Sequence, residues 1–397
     1  MAKTLSDFIT YKDTKLERKY ANKKIPINEL LEAYLSEKVD FHGDVYEMLA
    51  HREALTDEAF SSALWSQLGF VVNRLLPEVL LHTQRQDKRI VREHYNRGND
   101  FFEFFLGHRM VYTSGFYLNG DDSLEKAQDQ KMQLICEKLL LEPSDRYMDI
   151  GSGWGTLVMH AAREFGVDST GITISEEQAK YATDRIEKAG LADKARINVM
   201  DYRDIPKEKF DKISCVEMAE HVGSRNFRTY MHQLYDLLDD DGLLFLQMAG
   251  PKVDGRKENL GFGLFMAKYI FPGADAARKL TWISDHLEAA GFEIHSVENV
   301  GNHYSVTLKQ WYDNWLSNED AVMEAYGEWW FRLWSFFLAW ASQVAKEGQS
   351  TCFQILCNKN TRKLDRKMFF GGTELGERSD TSTLATAHER AAAHFKL

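Results

Sequence analysis

The sequence predicts an α/β fold: a Rossmann-like, mostly parallel sheet with a helical N-terminal extension and a helical, aromatic-rich insertion that covers the substrate. Three observations predict it. Strand and helix signals alternate from residue 146 onward, a glycine-rich turn follows the first of these strands, and 397 residues are enough to bury a sizeable core.

Apolar runs mark strands at 146–150, 169–174, 196–200, 212–216 and 243–248. Helical spacing follows Trp154 and returns at 176–189 and 225–238. Such alternation predicts a sheet covered on both faces, completed by strands at 292–297 and 351–357. Residues 1–90 form an all-helical preface, on the three- and four-residue spacing of Leu30, Leu31, Tyr34 and Leu35 and then of Phe70, Val71, Leu75 and Leu76. Residues 91–358 form the catalytic domain, with substrate-covering insertions within 251–345, and 359–397 form a polar tail expected to be partly disordered.

With 44% hydrophobic and 27% charged residues the chain reads as a globular protein, and a net charge of −11 argues against a nucleic-acid partner. Lys12, Lys15, Arg18, Lys19, Lys23 and Lys24 form a local basic cluster. A solvated helix face accounts for it, and a peripheral membrane contact is compatible with it. The four cysteines, Cys136, Cys215, Cys352 and Cys357, have neither disulfide-framework nor metal-site spacing, which predicts no metal and a reducing compartment. The N-terminus carries no apolar signal core, and nowhere is there an apolar run of about eighteen residues. A cytoplasmic protein, soluble or peripheral at a membrane, is expected. A homo-oligomer is equally compatible.

The turn Asp149-Ile150-Gly151-Ser152-Gly153-Trp154-Gly155 lies between a strand and a helix, the context expected of a nucleotide-type loop. Its glycines let backbone approach a ligand, and the helix behind offers free N–H groups. The spacing is not GxGxxG and the acid precedes the glycines. That points to S-adenosylmethionine rather than a dinucleotide, with Asp149, Gly151 and Gly153 at its amino-acid end. The carboxylate expected after the second strand is missing, and Thr173 and Gln178 stand there as hydrogen-bonding groups for a ribose diol. They also read as a helix start, with Ser175 as N-cap. Asp201 and Tyr202 end the third strand, where an adenine would find an acceptor and an apolar wall. Tyr112 and Ser114, in a segment mixing polar and aromatic residues, complete the cofactor set.

Glu220 and His221 lie just beyond the fourth strand on the ligand side of the sheet. One of them can serve as a base, and Glu220 can equally brace the loop before the next helix. The stretch from Trp311 to Trp340 reads as core at helical spacing. It also reads as an apolar cavity whose rings would line an acyl chain or stabilise a cation.

Together the segments 94–102, Tyr112-Thr113-Ser114-Gly115, Asp149 to Gly155, Gly171 to Gln178, Asp201 to Asp204, Glu217-Met218-Ala219-Glu220-His221-Val222-Gly223 and Lys268 to Gly273 resemble the cyclopropane fatty acid synthase family. The resemblance runs from about residue 90 to 358 and is nearer to the eukaryotic branch that includes fungal sphingolipid C9-methyltransferases. It implies methyl transfer to an alkene carbon of a lipid or sphingoid chain through a carbocation that loses a proton. In the ring-forming relatives a bicarbonate takes that proton. By motif Glu220 and Tyr304 match two of its holders, whereas Ser114 and Gln247 replace a Cys and a His. A neutral amide cannot take up charge as His can, which weighs against bicarbonate and favours methylation without ring closure. Gln247, Tyr269, Phe271, Trp311 and Trp330 form the expected substrate wall. The alternative is a soluble N-, S- or O-methyltransferase of a small metabolite, because plant relatives methylate amines on a similar scaffold.

Overall fold

The computed structural model describes residues 4–21, 23–57, 86, 97–251, 258–272, 278–361 and 364. Phe70, Val71, Leu75, Leu76, the His94-Tyr95 motif, Gly273 and the tail beyond 364 lie outside the described residues.

Among its described residues the N-terminal region carries four short strands, β1 (Ile9–Tyr11), β2 (Ile25–Pro26), β3 (Val39–Phe41) and β4 (Thr56–Asp57), between short helices. Pairing is antiparallel for β1 with β3 and parallel for β2 with β4. The all-helical expectation is therefore corrected. Segments of two or three residues are too short to show a period, so the strands escape pattern reading. Helix Ile27–Leu35 matches its predicted spacing, with Leu30 and Leu31 buried.

A seven-stranded sheet follows: β5 (Arg146–Ile150), β6 (Asp168–Thr173), β7 (Ala195–Val199), β8 (Phe210–Val216), β9 (Leu238–Pro251), β10 (Phe292–Asn299) and β11 (Ser350–Lys359). Its order is β10-β11-β9-β8-β5-β6-β7, and β11 alone runs against the direction of the other six strands. The chain builds outward from β5 through β6 to β7, then returns to the other side of β5 with β8. The crevice between the carboxyl ends of β5 and β8 is thus a topological switch point, where open α/β sheets take ligands.

Helix Leu124–Lys138, capped by Ser123, which accepts from the Lys126 N–H at 3.3 Å, packs beneath this crevice. Periodicity does not announce it, because its buried face includes Gln128, Lys131 and Lys138. Helix Leu280–Ala290 was expected within the covering insertion. Instead it buries Ile283 and Leu287 in the same apolar cluster as β8, β9 and helix Ser224–Leu237, as a flanking helix of the sheet.

The region from 301 to 346 is three helices, Gly301–Ser317, Glu319–Tyr326 and Glu328–Lys346. Trp311, Trp315, Trp334 and Trp340 are each at most 2% exposed, so core packing is the main role of this aromatic stretch. Their cluster extends without a break into the N-terminal Leu30, Leu31, Val39 and Met48 and into Phe101, Phe102 and Phe105. Charge seals the joint. The buried Arg52 forms a two-point pair with Glu347, and Arg332 bonds Glu328, Asp40 and the Tyr34 carbonyl. A buried guanidinium is tolerable only when its donors are met in this way.

Candidate active site

A cavity of about 120 Å³ opens at the switch point, lined by the glycine turn, Gln178, the 110–113 segment, Met132, Ile135, Val216 and Glu217. Ligand pockets for whole small molecules run to about 300–1,000 Å³, so this space takes only part of a nucleoside cofactor.

The turn forms one wall. Gly151 (φ +88°), Gly153 (φ +53°) and Gly155 (φ +77°) all have left-handed backbone, which glycine adopts at little cost. A Cβ at Gly151 would stand 2.6 Å from the Met218 Cβ, whereas one at Gly153 would meet nothing within 4 Å. The first glycine is there for close packing and the second leaves an open face. That cradle fits a cofactor backbone. Asp149 is buried and accepts from the Ser214 hydroxyl at 2.5 Å, which in turn bonds the Tyr147 hydroxyl at 2.6 Å. Burial lifts Asp149 to about 7, while the Ser214 hydrogen bond pulls the other way.

At the end of β6 the Ser175 cap is present, accepting from the Gln178 N–H at 3.2 Å. The Thr173 hydroxyl donates to Gln178 Oε1 at 2.8 Å, so the two predicted diol partners hold each other, and of the two only Gln178 reaches the cavity. Asp201 is likewise engaged: Arg203 grips its carboxylate through Nε at 2.7 Å and Nη2 at 2.9 Å. A basic residue two positions on was the unread signal. Tyr202 packs edge-on against Tyr230 with centroids 4.9 Å apart.

The opposite side of the cavity centres on Glu217, which was not singled out. Its backbone is left-handed at φ +54° and its N–H donates to the Gln247 carbonyl at 2.9 Å, extending the β8–β9 ladder by one residue. Glu217 Oε1 accepts from the Thr113 hydroxyl at 2.9 Å, Gln247 Nε2 at 2.6 Å and Cys352 Sγ at 3.4 Å, and Oε2 accepts from the Tyr304 hydroxyl. Burial and the nearby Glu217 carboxylate push the Tyr304 phenol well up. Lys131, fully buried, donates to Thr113 Oγ1; desolvation brings it down to about 8 against the upward pull of Glu217.

The amide of Gln247 is set by a chain of donors. Lys138 can only donate, and it donates to Gln354 Oε1 at 2.6 Å; Gln354 Nε2 then faces Gln247 Oε1 at 3.0 Å. Gln247 is left with its NH₂ toward Glu217 and Thr113.

The remaining predicted residues scatter. Glu220, 5% exposed, accepts the Ala249 N–H at 2.7 Å through Oε1, while Oε2 is buried without a hydrogen bond. Burial and then Glu217 raise Glu220 to about 8. It does not line the cavity, and its loop-bracing bond is realised. His221 stands edge-on to Phe271 at 6.4 Å. Ser114 is corrected: residues 110–113 line the cavity, whereas the Ser114 Oγ is buried without a hydrogen bond. Tyr269 is corrected as well, because its hydroxyl bonds Glu32 on helix Ile27–Leu35, beside the 2.8 Å Lys268–Glu32 pair. Trp330 lies under the Arg97 guanidinium, 4.2 Å from its centroid, rather than on the cavity. Phe271 and Trp311 pack beside the cavity residue Tyr112, with ring centroids 5.9 and 5.6 Å from its own.

Residues 82–355 match the family described as mycolic acid cyclopropane synthetase. A sphingolipid C9-methyltransferase of Komagataella phaffii is 44% identical over 379 residues, covering 92% of this chain and 77% of that protein. The sphingolipid C9-methyltransferase 2 of Gibberella zeae is 44% identical over 348 residues, covering 86% and 66%. Among solved structures, the mycolic acid cyclopropane synthase CmaA1 complexed with SAH and CTAB has a TM-score of 0.66 at 24% identity, covering 68% of this chain and 98% of that one. Coclaurine N-methyltransferase bound to N-methylheliamine and SAH gives 0.65 at 17%, covering 84% and 99%. The last two are likenesses of fold.

Proposed function

The chain belongs to the mycolic acid cyclopropane synthetase family and is an S-adenosylmethionine-dependent methyltransferase, and from that premise we propose that it methylates an alkene carbon in the unsaturated chain of a sphingolipid. The observation that carries this reading is the make-up of the cavity. One wall is the glycine cradle, and much of the rest is apolar: Met110, Val111, Met132, Ile135, Leu157 and Val216. S-adenosylmethionine supplies an electrophilic methyl group on a sulfonium. The open face at Gly153, the Gln178 side chain and the Tyr112 ring would hold its donor end, and the apolar residues would exclude water from the reacting carbon. Tyr112, backed by Phe105, Phe271 and Trp311, presents an aromatic surface to the positive charge that forms on the alkene. The 44% identity to enzymes named for sphingolipid C9-methylation supports the substrate class. A substrate of this kind resides in bilayers, so the chain meets it at a membrane surface; among the described residues no helix is long and apolar enough to cross one.

The test is incubation with methyl-labelled donor and either extracted sphingolipids bearing an unsaturated sphingoid base or a polar metabolite extract. Label is expected in the sphingolipid, with a methyl branch on the sphingoid chain by mass spectrometry. Label confined to the polar fraction would replace this reading with methylation of a small metabolite.

A further inference from the structure

We propose that Glu217 is the base that removes the proton after methyl transfer, so that the enzyme carries this anion in its own chain. The inference rests on the alkene reading above. Among the described residues two carboxylates line the cavity, Asp149 and Glu217. Asp149 is tied to Ser214 on the turn side, whereas Glu217 faces the same space from the end of β8.

Glu217 is held as an instrument would be. Its four side-chain partners, Thr113, Gln247, Tyr304 and Cys352, come from four separate stretches of chain, and in every contact Glu217 is the acceptor. The left-handed backbone at φ +54° is unusual for a non-glycine residue, and such strain persists only where the surroundings enforce it. Lys131, one hydroxyl away through Thr113, supplies buried positive charge opposite the carboxylate. Gln247 and Tyr304, two positions that the resemblance gave to holders of a bound bicarbonate, both donate to Glu217. A second anion placed beside this carboxylate would be repelled.

The step balances as follows. The alkene π pair forms the new C–C bond to the methyl carbon, the C–S bond breaks with its pair on sulfur, and the neighbouring alkene carbon becomes cationic. A C–H bond next to that carbon gives its proton to a Glu217 oxygen, and the bonding pair closes a new double bond. The carboxylic acid so formed returns its proton to solvent when product leaves, restoring the anion opposite Lys131.

The deciding variant is Glu217→Gln, which keeps shape and removes the base. Turnover on the sphingolipid should fall by about 10²-fold or more, while S-adenosylhomocysteine affinity by calorimetry stays near that of the wild type. Glu217→Gly suits the left-handed backbone and leaves a carboxylate-sized space, so sodium formate or bicarbonate should restore part of its turnover where chloride does not. Wild-type-like turnover of Glu217→Gln overturns the proposal. Loss of cofactor binding together with turnover also overturns it, since Glu217 would then be holding the site together. The wild-type assay separates this from the underlying reading: label only in polar metabolites rejects the alkene substrate and, with it, the base.

Discussion

The two sides of the cavity are built by opposite means. The turn side is largely backbone: three left-handed glycines in five residues, one buried acid and a capped helix, all within about thirty residues of sequence. The Glu217 side is almost wholly side chain, gathered from residues 113, 131, 217, 247, 304 and 352. A donor common to many reactions can be held by a local motif. The acceptor's chemistry depends on a carboxylate whose every oxygen contact is supplied from elsewhere in the fold.

The sharpest way to break this contrast is at the turn. In Gly151→Ala the new Cβ would press on Met218 at 2.6 Å and keep a φ of +88° that alanine resists. Strain of about 1–3 kcal/mol plus the clash should weaken S-adenosylhomocysteine binding on the order of 10²-fold by calorimetry. An unchanged affinity would show that the glycines do not shape the cofactor site.

A smaller effect is expected on the other side. Tyr304→Phe removes one donor to Glu217 and should slow turnover about tenfold with little change in KM, as for loss of a hydrogen bond to a charged group. Combined with Glu217→Gln it should add almost nothing, because both variants remove the same function. Full additivity would separate Tyr304 from the carboxylate it touches.

The smallest change in activity is expected three residues away. Glu220, lifted to about 8, is mostly the neutral acid at pH 7, so Glu220→Gln should stay within about threefold of the wild type in turnover there. Its stability should tell more. A carboxyl whose folded pKa lies above its unfolded value of 4.5 contributes fully below that value, and the contribution is lost as pH rises toward about 8. Melting curves between pH 5 and pH 8 should therefore show the Gln variant gaining on the wild type as pH increases. A large loss of turnover at pH 7 would instead return Glu220 to the role of base.

The same division explains what could be read from sequence. The strands from β5 to β11 were each legible to within a few residues, because apolar runs and turn signals are local. The Asp149 to Gly155 turn was legible for the same reason. Thr173, Gln178 and Asp201 were placed at the right strand ends, but the pairing of Thr173 with Gln178 and of Asp201 with Arg203 was not foreseen, since a side chain's preference among neighbours depends on rotamers. Glu217 was passed over in favour of Glu220, although a charged residue directly after the apolar strand ending at Val216 met the strand-end criterion applied to Asp201. Nothing in the sequence marks its left-handed backbone. The covering aromatics were ambiguous for a further reason: Trp311 both belongs to the core and backs the cavity residue Tyr112, so core and cavity wall are continuous there.

The donor chain from Lys138 through Gln354 to Gln247 bears on when activity can arise. Gln354 and Cys352 lie on β11, the last of the described strands to leave the ribosome and the one that runs against the others. Until β11 inserts between β9 and β10, the Gln247 amide has no fixed sense and Glu217 lacks part of its cage. Closing so long a loop is a late event in folding. The nascent enzyme would thus be able to shape its glycine cradle well before it could steer a cation to its end, and chemistry would switch on only once β11 is in place.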